Sequence, residues 1–216
     1  MNITIIGAGN MGRGIGHRLV AGGHSVTLIN TDPEAAETLA TELRKAAKSG
    51  ATVTTASLDN VQLGEVVVLA VKYGNNLDLA RQLGSRLAGK VVVDIANPLN
   101  ASFDGLATAP DTSSAEELAK VVSAGAKVVK AFNTTFAGTL VAGQVHGIPL
   151  DVFIAGDDEA AKQTISRLIT DGGLVAVDVG ALQRSRHLEG LALIGITLQF
   201  KYNLGFGTGW NLTRPN

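Results

Sequence analysis

The sequence predicts an α/β fold, built on a doubly wound and mainly parallel sheet with a small helical extension at its C-terminal end. Three observations predict it. Short β-branched runs alternate with amphipathic stretches along most of the chain, a glycine loop joins the first run to the first amphipathic stretch, and the alternation stops at Gly180. Strands covered by crossover helices are buried on both faces, so they read as continuous apolar runs and not as alternating ones.

The expected strands, in order, are "ITII" (3–6), "SVTLI" (25–29), "EVVVLAV" (65–71), "KVVVDI" (90–95), "KVVKAF" (127–132), "DVFIAG" (151–156) and "LVAVDV" (174–179). Between them, segments 10–22, 33–48, 76–88, 114–124 and 158–171 carry apolar residues at helical spacing and are the expected helices. "ATVTTA" (51–56) adds a short edge strand. After Gly180 a last helix is expected from Ala181 to Tyr202, and "NLGFGTGWNLTRPN" reads as an irregular tail.

A chain of 216 residues, 45% hydrophobic and 17% charged, can bury a sizeable core. Its 18 basic and 19 acidic residues are interspersed and leave a net charge of -1, which gives no footprint for nucleic acid or an anionic membrane. The expected partners are a small molecule and a second copy of the chain. There is no cysteine, hence no disulfide and no thiolate chemistry, and the first strand begins at Asn2 without room for a leader; a cytoplasmic location is expected. The longest apolar run, "LEGLALIGITLQF", contains Glu189 and Gln199 and falls short of the roughly 20 residues that span a bilayer. His17, His24, His146 and His187 lack metal-ligand spacing, so no metal site is expected.

In "GAGNMG" the strand ends at Ile6, Gly7 makes the turn, Gly9 lets backbone approach a pyrophosphate and Gly12 lets the helix pack on the strand. The helix start then offers free N–H groups and the positive end of its dipole to the phosphates. A dinucleotide is the expected cofactor of this Rossmann-type fold. The expected division is a nucleotide-binding body over residues 1–180 and a C-terminal helix and tail over 181–216, serving acceptor and dimer contact. In "LINTDP" the strand pattern runs through Ile29, so Asn30 is the first residue beyond the sheet, beside the adenosine ribose. Thr31 or Asp32 caps the next helix, Glu34 completing a capping box with Thr31. A carboxylate at position 30 would repel a 2'-phosphate, whereas Asn30 and Thr31 donate hydrogen bonds, so the sequence leans towards NADP.

"GAGNMGRG", "VVVDIANPL", "KVVKAFNT", "FIAGDDEAAK" and "DVGALQRSRHLEGLALI" together resemble the NADPH-dependent reductases of the deazaflavin coenzyme F-420. They also resemble the reductase domain of the six-transmembrane metalloreductases. The resemblance implies dimers that pass a hydride between NADPH and a flavin-like ring. It puts Gly7, Ala8, Gly9, Asn10, Met11 and Gly12 around the pyrophosphate, Asn30 and Thr31 at the 2'-phosphate, and Val71 and Lys72 beside the dinucleotide. Asn97, Pro98, Asn133 and Thr134 would line the cleft near the nicotinamide. Where those reductases tend to carry Ser-Arg and Pro-Trp-like pairs, this chain has Asn30-Thr31 and Lys72-Tyr73, with Arg13 as a base that could reach the phosphate.

Hydride transfer between stacked rings needs orientation more than acid-base groups. No catalytic triad or paired carboxylates are expected, and no catalytic side chain is singled out. Asn97, Pro98, Asn133 and Thr134 follow strands, where ligands of open α/β sheets collect; the plainer alternative is that the amides satisfy turn backbones. Lys72 either neutralises a phosphate or is a solvated loop charge. Arg186 is read as a partner of Glu189 at i,i+3. Deazaflavin, free flavin and a ferric chelate are all candidate acceptors, and a non-catalytic redox sensor is the alternative of another class. β-Hydroxyacid dehydrogenases, imine reductases and pyrroline-carboxylate reductases open similarly but need a further helical domain for their substrates. The last helix carries Leu188, Leu191, Leu193, Ile194, Ile196, Leu198 and Phe200 on more than one face, which predicts a homodimer.

Overall fold

The computed structural model describes residues 1–213 and 215. Its first half runs β1 (Asn2–Ile6), α1 (Asn10–Ala21), β2 (Ser25–Ile29), α2 (Pro33–Ala46), β3 (Val53–Thr55), β4 (Val66–Leu69), α3 (Tyr73–Leu83), β5 (Val91–Asp94) and α4 (Ser114–Val121). Then follow β6 (Lys127–Lys130), α5 (Ala137–Ala142), β7 (Gln144–Val145), β8 (Ile148–Pro149), β9 (Asp151–Gly156), α6 (Glu159–Asp171), β10 (Val175–Asp178) and α7 (Ser185–Tyr202).

Eight strands form one sheet in the order β10-β9-β6-β5-β4-β1-β2-β3. From β3 across to β6 every pairing is parallel. The strand order reverses between β1 and β4, the place where the carboxyl ends of an open α/β sheet leave a crevice. The central strands β1, β4, β5 and β6 are buried on both faces, whereas the edge strand β3 is not. In β4, for example, Val66 and Val68 join Ile15, Leu19 and Leu43 of α1 and α2, while Val67 and Leu69 face Ala80 and Leu83 of α3 and Leu118 of α4. That double burial produced the continuous apolar runs.

β9 departs from the parallel rule. It pairs antiparallel with β6, Lys130 opposite Ala155, and β10 runs parallel to β9. The chain therefore leaves β10 at the end of the sheet opposite the crevice, and α7 climbs back beside α4. The contacts order this path: Arg186 meets Glu116, then Glu189 meets Ser114 near the start of α4, then Gly195 lies near Phe136 beyond the end of β6.

Several expected bounds shift. The helix expected over 76–88 begins at Tyr73 and ends at Leu83, with a 3-10 turn over Gly84–Leu87, because Gly84 takes a φ of 51°. The last helix starts at Ser185 and not at Ala181, since Leu182–Arg184 is a 3-10 turn. Two elements carried no periodic signal. Helix α5 is six residues long, and Gly14 of α1 lets it approach: a Cβ there would lie 2.9 Å from both the Ala137 carbonyl oxygen and the Leu140 Cβ. The β7–β8 hairpin turns on His146 and Gly147, with φ of 50° and 82°, the left-handed pair of a type I' turn.

Candidate active site

At the reversal of strand order the glycine loop is pressed against the end of β4. Gly7 has a φ of 118°, and a Cβ on it would stand 2.2 Å from the Ala70 carbonyl oxygen. A Cβ on Gly12 would stand 2.1 Å from the Gly7 carbonyl oxygen. Gly9 is different: a Cβ there would meet nothing within 4 Å, because the residue borders an open cleft. Gly9 is also the N-cap of α1 and supplies no side-chain bond; α2, α4 and α6 are capped by Asp32, Ser113 and Asp158, and α3, α5 and α7 have no side-chain cap. The α1 terminus thus keeps its N–H groups and positive dipole end for an anion.

The cleft has a volume of about 920 Å³. Gly7, Gly9, Asn30, Thr31, Val71 and Lys72 line it, six of the residues singled out from the sequence. Ala8, Asn10, Met11 and Gly12 lie in the adjoining loop and first turn of α1. Asn30 ties the two loops together: its Oδ1 accepts from the Ala8 N–H at 3.3 Å and its Nδ2 donates to the Asp32 carbonyl at 3.2 Å. Asp32, not Thr31, caps α2, accepting from the N–H groups of Glu34 and Ala35. Lys72 is the only cation and Asp59 the only acid lining the cleft among the described residues.

Arg13 turns elsewhere. Its Nε donates to both oxygens of Glu42 at 2.7 and 2.9 Å, and His17 joins the same carboxylate at 2.6 Å. The Arg13 bonds, then that of His17, pull the Glu42 carboxyl down to about 2. The far wall of the cleft, Thr55 to Asp59 with Asn75, Leu79 and Gln82, was not read from the sequence. The signal for it was the abrupt polarity of "TTASLD" after an edge strand.

Asn97, Pro98, Asn133 and Thr134 do not line this cleft; they form a second group at the ends of β5 and β6. Asn97 Nδ2 donates to the Asn133 carbonyl at 2.8 Å, and Asn133 Nδ2 donates to Asn97 Oδ1 at 3.0 Å and to the Leu188 carbonyl at 3.1 Å. Asn133 Oδ1 and Thr134 Oγ1 are buried without a hydrogen-bond partner. Phe132, buried just before them, takes a φ of 63°, a left-handed backbone that bulky residues rarely adopt.

Beneath this group lies a charge cluster that sequence reading missed. Lys130, Asp94 and Glu189 are each 0% exposed. The Lys130 ammonium spends its three donors on Asp94 Oδ2, the Ala96 carbonyl and Glu189 Oε1, at 2.9, 2.5 and 2.6 Å. Asp94 Oδ1 accepts from Asn76 Nδ2 and the Ala96 N–H, and Glu189 accepts from the Ser114 N–H at the start of α4. Burial, reinforced by the neighbouring Asp94, pushes the Glu189 carboxyl up against the pull of Lys130. The expected pairing of Arg186 with Glu189 does not form. Glu189 points into the body, and Arg186 holds Glu116 by two bonds at 2.8 and 2.6 Å. Nearby, burial and a bond to Glu117 raise the Tyr73 phenol to about 12. The textual cue was a charge inside an apolar run, as in "KVVKAF", "VVVDI" and "LEGLALIG".

An uncapped helix start behind a glycine loop, at the switch point of a parallel sheet, defines a Rossmann-type dinucleotide-dependent oxidoreductase. The family model described as "NADP oxidoreductase coenzyme F420-dependent" matches residues 2–98. The F420-dependent NADP reductase of Methanocaldococcus jannaschii is 30% identical over 99% of this chain and 98% of that protein. Metalloreductase STEAP3 of Rattus norvegicus is 31% identical over 88% of this chain but only 36% of its own length. A crystal structure from Arthrobacter sp. FB24, assigned as an F420-dependent NADP reductase, superposes with a TM-score of 0.83 at 29% identity, covering 98% of this chain and 99% of that one. The chain belongs to the F420-dependent NADP reductase family, and it is an NADPH-dependent oxidoreductase. No helix among the described residues is long and apolar enough to cross a membrane.

Two outcomes follow from this geometry. Gly9→Val should leave the melting temperature within a few degrees of native and weaken NADPH binding, because its side chain enters the cleft; Gly12→Val should lose fold and binding together, since it forces Gly7 away. Calorimetry with and without NADPH separates them. Glu189 also gives the protein a pH signature. Its folded-state carboxyl is raised, so its contribution to stability is full below the ordinary glutamate range near pH 4 and is lost as pH rises through the raised value. Urea unfolding of Glu189→Gln between about pH 4 and 8 should show a flatter decline than the native protein.

Proposed function

We propose that this protein passes a hydride between NADPH and a deazaflavin ring of the coenzyme F-420 type. One observation carries the choice of a planar acceptor. Phe103, Phe200, Phe206 and Phe136 stand edge to face in a row, with centroids 6.3, 5.5 and 5.2 Å apart, and Phe136 follows the Asn133–Thr134 turn at the carboxyl end of β6. Three of these rings are exposed, Phe200 to 63%. Aromatic edges of this kind favour a flat apolar ring over a small hydroxyacid or imine. The similarity to a deazaflavin-dependent reductase along the whole chain supports the same reading.

The nicotinamide, when bound, gives or takes the hydride. The chain's own residues bind, orient and exclude water. Free N–H groups of Asn10, Met11 and Gly12 meet the pyrophosphate at the positive end of α1. Asn30 keeps one amide hydrogen beyond its bond to Asp32, and with the Thr31 hydroxyl it offers neutral donors to the 2'-phosphate. Ala8 shapes that loop, Val71 covers the dinucleotide, and Lys72 places one cation at the cleft edge. Asn97, Pro98, Asn133 and Thr134 stand at the nicotinamide end, held in place by the Asn97–Asn133 amide bonds. We take residues 1–180 as the nucleotide-binding body and 181–216 as the extension that bears acceptor and dimer contacts. The cytoplasmic location read from the sequence is part of the same proposal.

A homodimer is proposed from the orientation of α7. Its body-facing side is Ser185, Leu188, Glu189, Ala192, Gly195 and Gln199, largely small or polar. Leu191, Ile194 and Leu198 are partly or fully exposed, which is the reverse of an ordinary amphipathic helix. Covering that stripe with a second copy removes it from water.

NADPH oxidation by the purified protein should be fastest with coenzyme F-420 when compared with riboflavin and a ferric chelate; no turnover of F-420 above the other two would reject the acceptor. Thr31→Arg should tighten NADPH over NADH by about tenfold, the difference between a charged and a neutral hydrogen-bond partner. Light scattering at micromolar concentration should return twice the chain mass, and a monomer there would count against the dimer.

A further inference from the structure

Lys130, Asp94 and Glu189 are fully buried, yet none of them borders the cleft, and nucleotide binding as proposed leaves them without a task. A hydrophobic trio of similar volume would hold the core as well or better, because a buried ion cluster is weak as a stabiliser. What such a cluster does supply is direction. Every bond it makes has a fixed donor, acceptor and angle.

Those directions converge on two turns. The Ala96 carbonyl accepts from Lys130 and the Ala96 N–H donates to Asp94, so both backbone groups next to Asn97 are pinned. On the other side, the Leu188 carbonyl accepts from Asn133 Nδ2, and Leu188 adjoins Glu189, which accepts from Lys130. Consecutive residues of α7 therefore hold the end of β6 directly and, through Lys130 and Asn133, the end of β5. The turn they hold needs holding: Phe132 keeps its left-handed φ of 63° against its preference. Both amide hydrogens of Asn133 are committed to Asn97 and Leu188, which fixes the amide plane and leaves its Oδ1 buried without a hydrogen-bond partner.

We infer that Glu189 is a positioning residue for hydride transfer: through Lys130 and the Leu188 carbonyl it fixes the orientation of the Asn97–Asn133 amide pair against the nicotinamide. The inference rests on the reading above that this pair stands at the nicotinamide end. Glu189 itself touches neither cofactor nor acceptor. Its effect belongs to the angle at which the ring is held and not to the grip on phosphate and adenine.

The test compares Glu189→Gln and Asn97→Ala with the native chain, using NADPH as the probe and coenzyme F-420 as acceptor. Glu189→Gln should bind NADPH with a Kd within about threefold of native, lose the enhanced emission of bound nicotinamide, and slow single-turnover hydride transfer by about tenfold or more, as expected for a ring displaced by a fraction of an ångström. Asn97→Ala should show the same signature. If Asn97→Ala keeps native emission and rate, the placement of the nicotinamide is wrong and the inference falls with it. If Asn97→Ala changes both and Glu189→Gln changes neither, the inference alone falls. A rate loss in Glu189→Gln that only follows the loss of folded protein, with native emission per bound NADPH, would reduce Glu189 to a stabilising residue and also overturn it. Should Glu189→Gln be recovered unfolded, Lys130→Arg keeps the charge but moves the donors, and native emission and rate in that variant would sink the proposal.

Discussion

One ammonium, shared by two carboxylates in the dry interior, ties together the parts of this molecule that have to agree. Lys130 belongs to β6, Asp94 to β5 and Glu189 to α7, while Asn76 of α3 and the first N–H of α4 complete the ring of partners. Five elements meet at a junction where no group is left exposed. Taking charges from water is costly unless they are paired, and here both carboxylates bond the ammonium, which disfavours arrangements that would part them. The ends of β5 and β6 and the direction of α7 all depend on it.

The nucleotide half depends instead on the absence of atoms. Gly7 and Gly12 bring backbone within a distance that no side chain permits, and so draw the start of α1 down onto the crevice between β1 and β4. Gly9 faces that crevice with nothing to fill it. Asp32, Ser113 and Asp158 cap α2, α4 and α6 with their own side chains, whereas α1 starts on a glycine and, like α3, α5 and α7, has no side-chain cap. What sets α1 apart is that its uncapped start lies behind the glycine loop and borders the open cleft.

Most of this half was legible in the sequence. Strands buried on both faces must be apolar throughout, and a loop that lacks side chains for steric reasons must be written in glycine, so β1 to β6 and "GAGNMG" could be read directly. Asn30 beside the loop followed from strand register, and the cap was narrowed to Thr31 or Asp32, of which the fold uses Asp32. The rest was hidden for identifiable reasons. Helix α5 and the β7–β8 hairpin are too short to show a period. Arg186 was matched with Glu189 because helical spacing allows it, but spacing does not say which face looks inward. Here the inward face is the small and polar one, so a rule that turns leucines to the core puts Glu189 on the wrong side. Charges inside apolar runs were the one visible sign, and they acquire meaning only when three distant segments meet.

The antiparallel placement of β9 has a further consequence. Had β9 and β10 continued the parallel run, α7 would descend from the crevice; because they are inverted, it rises towards it and carries the tail along, with Gln199 bonded to Thr208 and Trp210 against Gly195. The helix is thereby a ruler laid from the start of α4 to Phe136, past the carboxyl end of β6. Each turn added to or removed from its outer half would move the start of the tail by about 5.4 Å without altering a residue of the glycine loop. The reach of the tail along the molecule is thus set by helix length alone.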